Sequence, residues 1–280
     1  MSLLLNFKQD LIDPSNWLSS WTVDGDCCHW LGVVCHNLTA HIHQLHLRSF
    51  PPIWDDSMSQ EQNDAKYEAY WRSRFGGKLN LSLLNLKHLN YFDLSFNNFS
   101  ASPILEFLGS MKSLTSLNLS NAGSVGLIPH QLGNLSNLLY LNLEGYGSND
   151  LNVNNFQWLS GLPLLQHLDM SYVNLSKASD WLQLTNTLSS LSKLRLIACQ
   201  LCLIPPTLTV NFSSLLTLDL LGNQFENTLI LSWIFGLCNP VSLDLSDNYF
   251  QSLIPVDLQN ITSLSPLDLS LNNFNSSIPN

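Results

Sequence analysis

Apolar and polar positions recur along this chain in one pattern, LxxLxLxxN, seen as LNYFDLSFN (89–97), LLTLDLLGN (215–223), VSLDLSDN (241–248) and LSPLDLSLN (264–272). Looser copies are LTSLNLSNA (114–122), LLYLNLEGY (138–146), LQHLDMSYV (165–173) and LSKLRLIAC (191–199). The central apolar residues, Phe92, Leu117, Leu141, Leu168, Leu194, Leu218, Leu243 and Leu267, are 25, 24, 27, 26, 24, 25 and 24 positions apart. IHQLHLRS adds a ninth copy centred on Leu45. A fixed period of this length predicts a solenoid, each unit contributing one short strand and one return segment. Within xxLxLxx the two leucines point inward and the residue between them points out, as strand alternation requires. The expected fold class is therefore an α/β solenoid with a continuous parallel β-sheet on its concave face.

The Asn that closes the pattern (Asn97, Asn223, Asn248, Asn272) is expected to be buried, its amide bonding backbone groups of adjacent turns that no regular ladder would satisfy. Cys199 is an accepted substitute, whereas Ala122, Tyr146 and Val173 depart from the pattern and predict local irregularity in the third to fifth repeats. Leu45 and Phe92 are 47 residues apart, one repeat plus an insertion near 50–74 that is charged and aperiodic and reads as a surface excursion. Ile-Pro ends four return segments, at 125–129, 202–205, 252–255 and 276–279. Proline at a fixed offset would break helices repeatedly, which argues against a leucine-rich helical bundle.

These units resemble the leucine-rich repeat, and the Ile-Pro segments look like its plant-type extension, which implies a second short strand and a twisted superhelix. LLLNFKQDLIDPSNWLSSW followed by DCCHWLGVVC resembles the N-terminal cap of plant leucine-rich repeat receptors and secreted inhibitors. The domains expected are a helical cap over 1–41 and about nine repeats over 42–280. The resemblance implies a Cys28–Cys35 disulfide, with Cys27 paired to a cysteine before the first helix; in this chain Cys27 is left without a partner. A vicinal Cys27–Cys28 bond would be strained. A bridge between Cys202 and Cys238 stays open. The cluster of Cys27, Cys28, His29, Cys35 and His36 lacks the CxxC and HxxxH spacings of a zinc site.

Composition narrows the function. Hydrophobic residues make up 45% of the 280 and charged ones 11%, with a net charge of −10, and eleven Lys and Arg do not build a phosphate-binding surface, so nucleic acid is disfavoured. No apolar run reaches the length of a membrane-spanning helix. The start lacks a basic n-region and fails as a signal peptide. Sequons at Asn37, Asn80, Asn98, Asn118, Asn134, Asn174, Asn211, Asn260 and Asn275 nevertheless favour secretion, about twofold above chance. Asn118 lies in a strand facing the concave side, where glycosylation would obstruct binding. A chain truncated at both ends, with an open last repeat that makes it poorly soluble, reconciles these signs.

No GxxxxGK, GxSxG, HExxH or kinase signature is present, so neither an enzyme nor a cofactor is expected. Acids recur between the paired leucines at Asp93, Asp169, Asp219, Asp244 and Asp268; they read as ordinary strand residues more readily than as an acidic ligand stripe. A recognition surface remains. Nine strands at about 4.8 Å spacing span roughly 40 Å, room for an extended peptide or the flank of a protein. Its outward residues include Tyr91, Asp93, Asn118, Tyr140, Asn142, Glu144, His167, Asp169 and Arg195, the aromatics being the expected anchors. The run YEAYWRSRFGGKLNLSLLNLKHLNYFDLS, with GLIPHQLGNLSNL and LQHLDMSYVNLSKASDWL, resembles plant receptor-like proteins, notably the class that senses a fungal ethylene-inducing xylanase. That resemblance implies the N-terminal part of a cell-surface ectodomain that binds a peptide or protein and signals through partner kinases. A secreted polygalacturonase inhibitor and the ectodomain of a receptor kinase are the alternatives.

Overall fold

Nine LxL tripeptides stack side by side in the computed structural model, which describes residues 2–99, 101–145, 150–202, 212–226, 242–254 and 266–275. Val33–Cys35 (β1) runs antiparallel to Ile42–His46 (β2). Parallel to β2 follow Tyr91–Asp93 (β3), Ser116–Asn118 (β4), Tyr140–Asn142 (β5), His167–Asp169 (β6), Lys193–Arg195 (β7), Thr217–Asp219 (β8), Ser242–Asp244 (β9) and Leu267–Asp268 (β10), making one sheet of ten strands. Along the nine parallel strands the register does not slip: Leu45, Phe92, Leu117, Leu141, Leu168, Leu194, Leu218, Leu243 and Leu267 lie in one row. All but Leu267 are at most 2% exposed. Burying each such side chain stabilises the stack by about 1.5–3 kcal/mol, and a one-residue slip would turn the whole row to solvent.

Short 3-10 turns form the opposite wall, at Leu81–Asn85, Glu106–Ser110, His130–Asn134 and Gln157–Gly161, and each buries one leucine. Successive turns approach so closely that a Cβ on Gly109 would stand 2.0 Å from the Gln131 carbonyl oxygen. Only glycine fits there. A second set of short parallel strands runs between the walls, Gly126–Leu127 with Leu151–Asn152 and Gln251–Ser252 with Asn273–Phe274. Their first member is the strand of the Ile-Pro segment at 125–129; Pro205, Pro255 and the segment at 276–279 lie outside the described residues.

The asparagine ladder has two forms. Asn223 Nδ2 donates to the carbonyls of Leu196 and Leu220, and its Oδ1 accepts the backbone N–H of Cys199 and Leu201. Asn248 and Asn272 likewise take the N–H of Phe225 and Phe250. Where the amide is missing, the backbone substitutes: Phe99 N–H donates to the Ala122 carbonyl and Leu175 N–H to the Cys199 carbonyl. At both sites a left-handed residue follows, Gly123 (φ 75°) or Gln200 (φ 62°), turning the carbonyl toward the core. The irregularity expected at Ala122 is taken up in the turn after the strand, Tyr146 lies outside the described residues, and the register of β4, β5 and β6 is undisturbed.

At the N-terminal end, helix α1 (Ser2–Gln9) buries Leu4 and Phe7, and Trp21 stacks on Trp30 at 5.5 Å. Lys8 Nζ donates to the carbonyls of Leu18 and Trp21, tying the helix to the turn that follows. Cys28 and Cys35 are joined in a disulfide, closing a loop worth about 2–3 kcal/mol on the loop-entropy account. The insertion is not irregular throughout. Gln60–Ser73 forms helix α2, started by a capping box between Ser59 and Gln62 and anchored by the Tyr70 hydroxyl, which donates to the Phe96 carbonyl.

Candidate functional site

The concave face is built from side chains that alternate with the buried leucines. One outward row reads Gln44, Tyr91, Ser116, Tyr140, His167, Lys193, Thr217 and Ser242; the next reads His46, Asp93, Asn118, Asn142, Asp169, Arg195, Asp219, Asp244 and Asp268. Strand pairing therefore brings every proposed concave residue of the β-strands onto one surface. Glu144 follows β5 on the same side, half-buried.

Members of the acid row are less available than their outward direction suggests. Asp93, Asn118, Asn142 and Asp169 are at most 9% exposed. Each turns one oxygen back on its own chain: Oδ1 of Asp93, Asn118 and Asp169 accepts the N–H of Ser95, Ser120 and Ser171, and Asn142 Oδ1 accepts that of Glu144. Asp244 and Asp268 do the same with Ser246 and Ser270, and Asp219 with Leu221. An Asp or Asn bonding the backbone two residues on is a local turn device, so these side chains fix the exit of each strand.

Their second oxygens distinguish the repeats. Tyr91 donates to Asp93 Oδ2 at 3.3 Å. Arg195 donates from Nη1 to Asp169 Oδ2 at 3.1 Å and from Nε to Asp219 Oδ2 at 3.2 Å, a clamp across β6, β7 and β8. Burial pushes the Asp219 carboxyl up despite the guanidinium, and burial followed by the charge of Asp169 pushes up Glu144. Asp244 is half-buried and Asp268 exposed.

Aromatic rings are paired on the same face. His46 stacks on Tyr91 at 4.5 Å and Tyr140 on His167 at 4.4 Å. Burial, then the charge of Lys193, lowers the His167 pKa to about 4, so the ring is neutral at physiological pH, and its buried Nε2 has no partner among the described residues. Tyr91 is pushed up to about 12, by burial first and Asp93 second.

Sequence reasoning passed over the insertion as a surface. Its leading loop exposes Phe50 (74%), Ile53 (88%) and Trp54 (49%). Arg48 stands over both Phe50 and Phe96, joining this loop to the margin of the concave face. Large apolar residues on both sides of Pro51 and Pro52, in a charged and aperiodic stretch, were the readable signal.

Cysteines and sequons divide by environment. The sulfurs of Cys27, Cys28 and Cys35 lie within 4.8 Å of one another, but two are bonded together and cannot ligate a metal. Among the described residues Cys27, Cys199 and Cys202 are free; Cys238 lies outside them. Asn37, Asn98, Asn134 and Asn275 are exposed and Asn174 is half-buried. Asn80 Nδ2 is engaged by Asn6 and Asp10, and Asn118 is the buried turn former already described. Asn211 and Asn260 lie outside the described residues.

Residues 2–36 match the leucine rich repeat N-terminal domain family. The chain is 36% identical over 277 residues to receptor-like protein EIX1 of Solanum lycopersicum, an alignment covering 96% of this chain and 26% of that protein. EIX2 of the same plant is 34% identical over 97% of the chain and 25% of its own length. The chain thus spans about a quarter of these relatives. Among solved structures, the Arabidopsis receptor kinase HAESA, crystallised with the peptide hormone IDA and the co-receptor SERK1, superposes with a TM-score of 0.70 at 26% identity, over 98% of this chain and 46% of that one. No helix among the described residues is long and apolar enough to cross a membrane.

Proposed function

This chain belongs to the leucine-rich repeat receptor-like proteins, a non-catalytic family, and from that premise we propose that it is the extracellular recognition part of a cell-surface receptor, binding a peptide or protein on its concave face. A partner co-receptor kinase supplies the signalling step, in plant defence or development. No small-molecule cofactor takes part. The cap occupies 1–41 and the repeats 42–280, with the insertion at 50–74 adding apolar contact area beside the first strands. In the secreted molecule the exposed sequons Asn37, Asn98, Asn134 and Asn275 carry glycans.

The observation that carries this reading is the Tyr140–His167 stack beside the Arg195 clamp. Rigid aromatic rings next to a partly exposed guanidinium have the make-up of an interface hot spot, whereas most of the acids are committed to their own turns. The receptor kinase HAESA, crystallised in complex with a peptide hormone and a co-receptor, supports the same division of labour.

Interferometry against a fungal ethylene-inducing xylanase and against a co-receptor kinase ectodomain tests the proposal. Tyr140→Ala with His167→Ala weakens binding by more than about tenfold, the cost of losing one hot spot, and Asp93→Asn leaves it unchanged. Binding undiminished by the aromatic pair of substitutions refutes the concave-face assignment.

A further inference from the structure

A cavity of about 240 Å³ runs into the core between the second and third repeats. Its walls are Leu94, Phe99, Ile104, Leu108, Leu119 and Ala122, none more than 5% exposed. Its mouth carries the exposed Lys78 and Pro103 and the half-buried Ser102 and Ser124.

The missing amide of the third repeat accounts for the space. Asn97, Asn223 and Asn248 each donate from Nδ2 to the carbonyl three residues back, that of Leu94, Leu220 or Leu245. Ala122 holds the same position after Leu119 and ends in a methyl group, so the volume an amide fills in those repeats stays open beside Leu119, which lines the cavity with Leu94. A void in a close-packed interior is destabilising in proportion to its volume, and one walled by aliphatic and aromatic carbon stays dry and accepts apolar molecules. Lys78 is the one charged residue lining this cavity, and it forms no ion pair among the described residues. Its backbone N–H donates to the Asp10 carbonyl, which fixes the chain at the mouth, and the Asp10 carboxylate is taken by Asn80 Nδ2.

We propose that this cavity binds a medium-chain alkyl carboxylate. The tail lies among the six apolar residues, and the carboxylate stays at the mouth, opposite the Lys78 ammonium and beside two serine hydroxyls. At the packing density of a protein interior there is room for a tail of roughly eight carbons. An alcohol of that length gains the burial without the charge contact, an alkylammonium is repelled by Lys78, and acetate has no tail to bury. The site is separate from the concave surface and stands or falls without it.

Ligand-observed NMR on the purified chain with octanoate, 1-octanol, octylammonium and acetate provides the test. Octanoate is expected to bind with a Kd of order 1 mM or tighter, and octylammonium and acetate are not. Ala122→Asn puts back the side chain that fills this position in the regular repeats, so octanoate and octanol binding are both lost while Tm holds or rises. Adsorption on the surface would not respond to that substitution. Lys78→Met weakens octanoate by about threefold, as an exposed ion pair allows, and leaves octanol unchanged; being on an exposed side chain, it decides the matter even where the core variant does not fold. Failure of octanoate to bind, equal binding of octylammonium, binding indifferent to Ala122→Asn, or an equal effect of Lys78→Met on octanoate and octanol overturns the proposal.

Discussion

Replacing Arg195 by Met isolates the one charge network among the described residues that spans three repeats. Arg195 donates to Asp169 at 3.1 Å and Asp219 at 3.2 Å, and the Asp169 side chain is only 2% exposed. A hydrogen bond to a charged group contributes about 1.5–3 kcal/mol net, but the Arg195 side chain is 31% exposed and solvent screens part of that. About 2 kcal/mol in total is a fair expectation, or a fall in Tm of about 5 °C for a chain of this size. The loss must also depend on pH. Asp219 and Glu144 already have carboxyl pKa values above their ordinary range, through burial. A raised folded-state pKa means that the folded form holds the proton more tightly, so stability rises as pH falls through that value. Removing the guanidinium raises both groups further, so the variant suffers most where they are charged. Differential scanning calorimetry should show the full 5 °C deficit near pH 7 and less than half of it near pH 4, as roughly estimated from that linkage. An equal deficit at both values would refute the electrostatic account and leave lost packing as the cause.

Four further outcomes follow from the described contacts. Asn223→Ala removes a side chain making hydrogen bonds to two carbonyls and two N–H groups, and should cost about 2–4 kcal/mol with faster amide exchange at Leu201, read by hydrogen-exchange mass spectrometry. His167 titrates near 4 instead of 6.5, so its contribution to stability is lost as pH falls between those values; its ring proton shift should stay flat from pH 7 to pH 5, and an NMR midpoint near 6.5 would contradict the buried stack. Burial pushes the Cys199 thiol far up, while Cys202 is exposed, so iodoacetamide should label Cys202 in the native chain and Cys199 only after unfolding. Glycopeptide mapping of secreted protein should find Asn37, Asn98, Asn134 and Asn275, which are exposed, occupied, and Asn80, whose Nδ2 is held by Asn6 and Asp10, and the buried Asn118 bare.

The repeat period carried most of the fold because it is enforced by packing. Nine central apolar residues chosen from spacing alone are the nine that share one row of the sheet, since any other register would expose them. The insertion was less readable. Helix α2 has almost no apolar stripe, and what marks its start is a local signal, Ser59 three residues ahead of Gln62. Nor does periodicity say that the backbone carbonyls of Ala122 and Cys199 stand in for the missing amides, because that depends on left-handed geometry at the residue that follows.

The acids of the concave face show how direction and availability separate. Strand alternation places Asp93, Asp169, Asp219, Asp244 and Asp268 outward, yet the serine two positions after four of them, or the Leu221 amide after the fifth, draws one oxygen back to the chain. That pairing was present in the sequence as Asp-Leu-Ser and Asp-Met-Ser, and has a purely local explanation. What differs between repeats is the second oxygen: held by Tyr91 in one, by Arg195 in two, and in the half-buried Asp244 and exposed Asp268 turned to no cation among the described residues. The face therefore changes character along its length, from stacked rings and a clamped arginine to accessible carboxylates. A peptide lying along it in the orientation this gradient favours would set apolar or aromatic residues against β3 to β6 and a basic residue against β9 and β10.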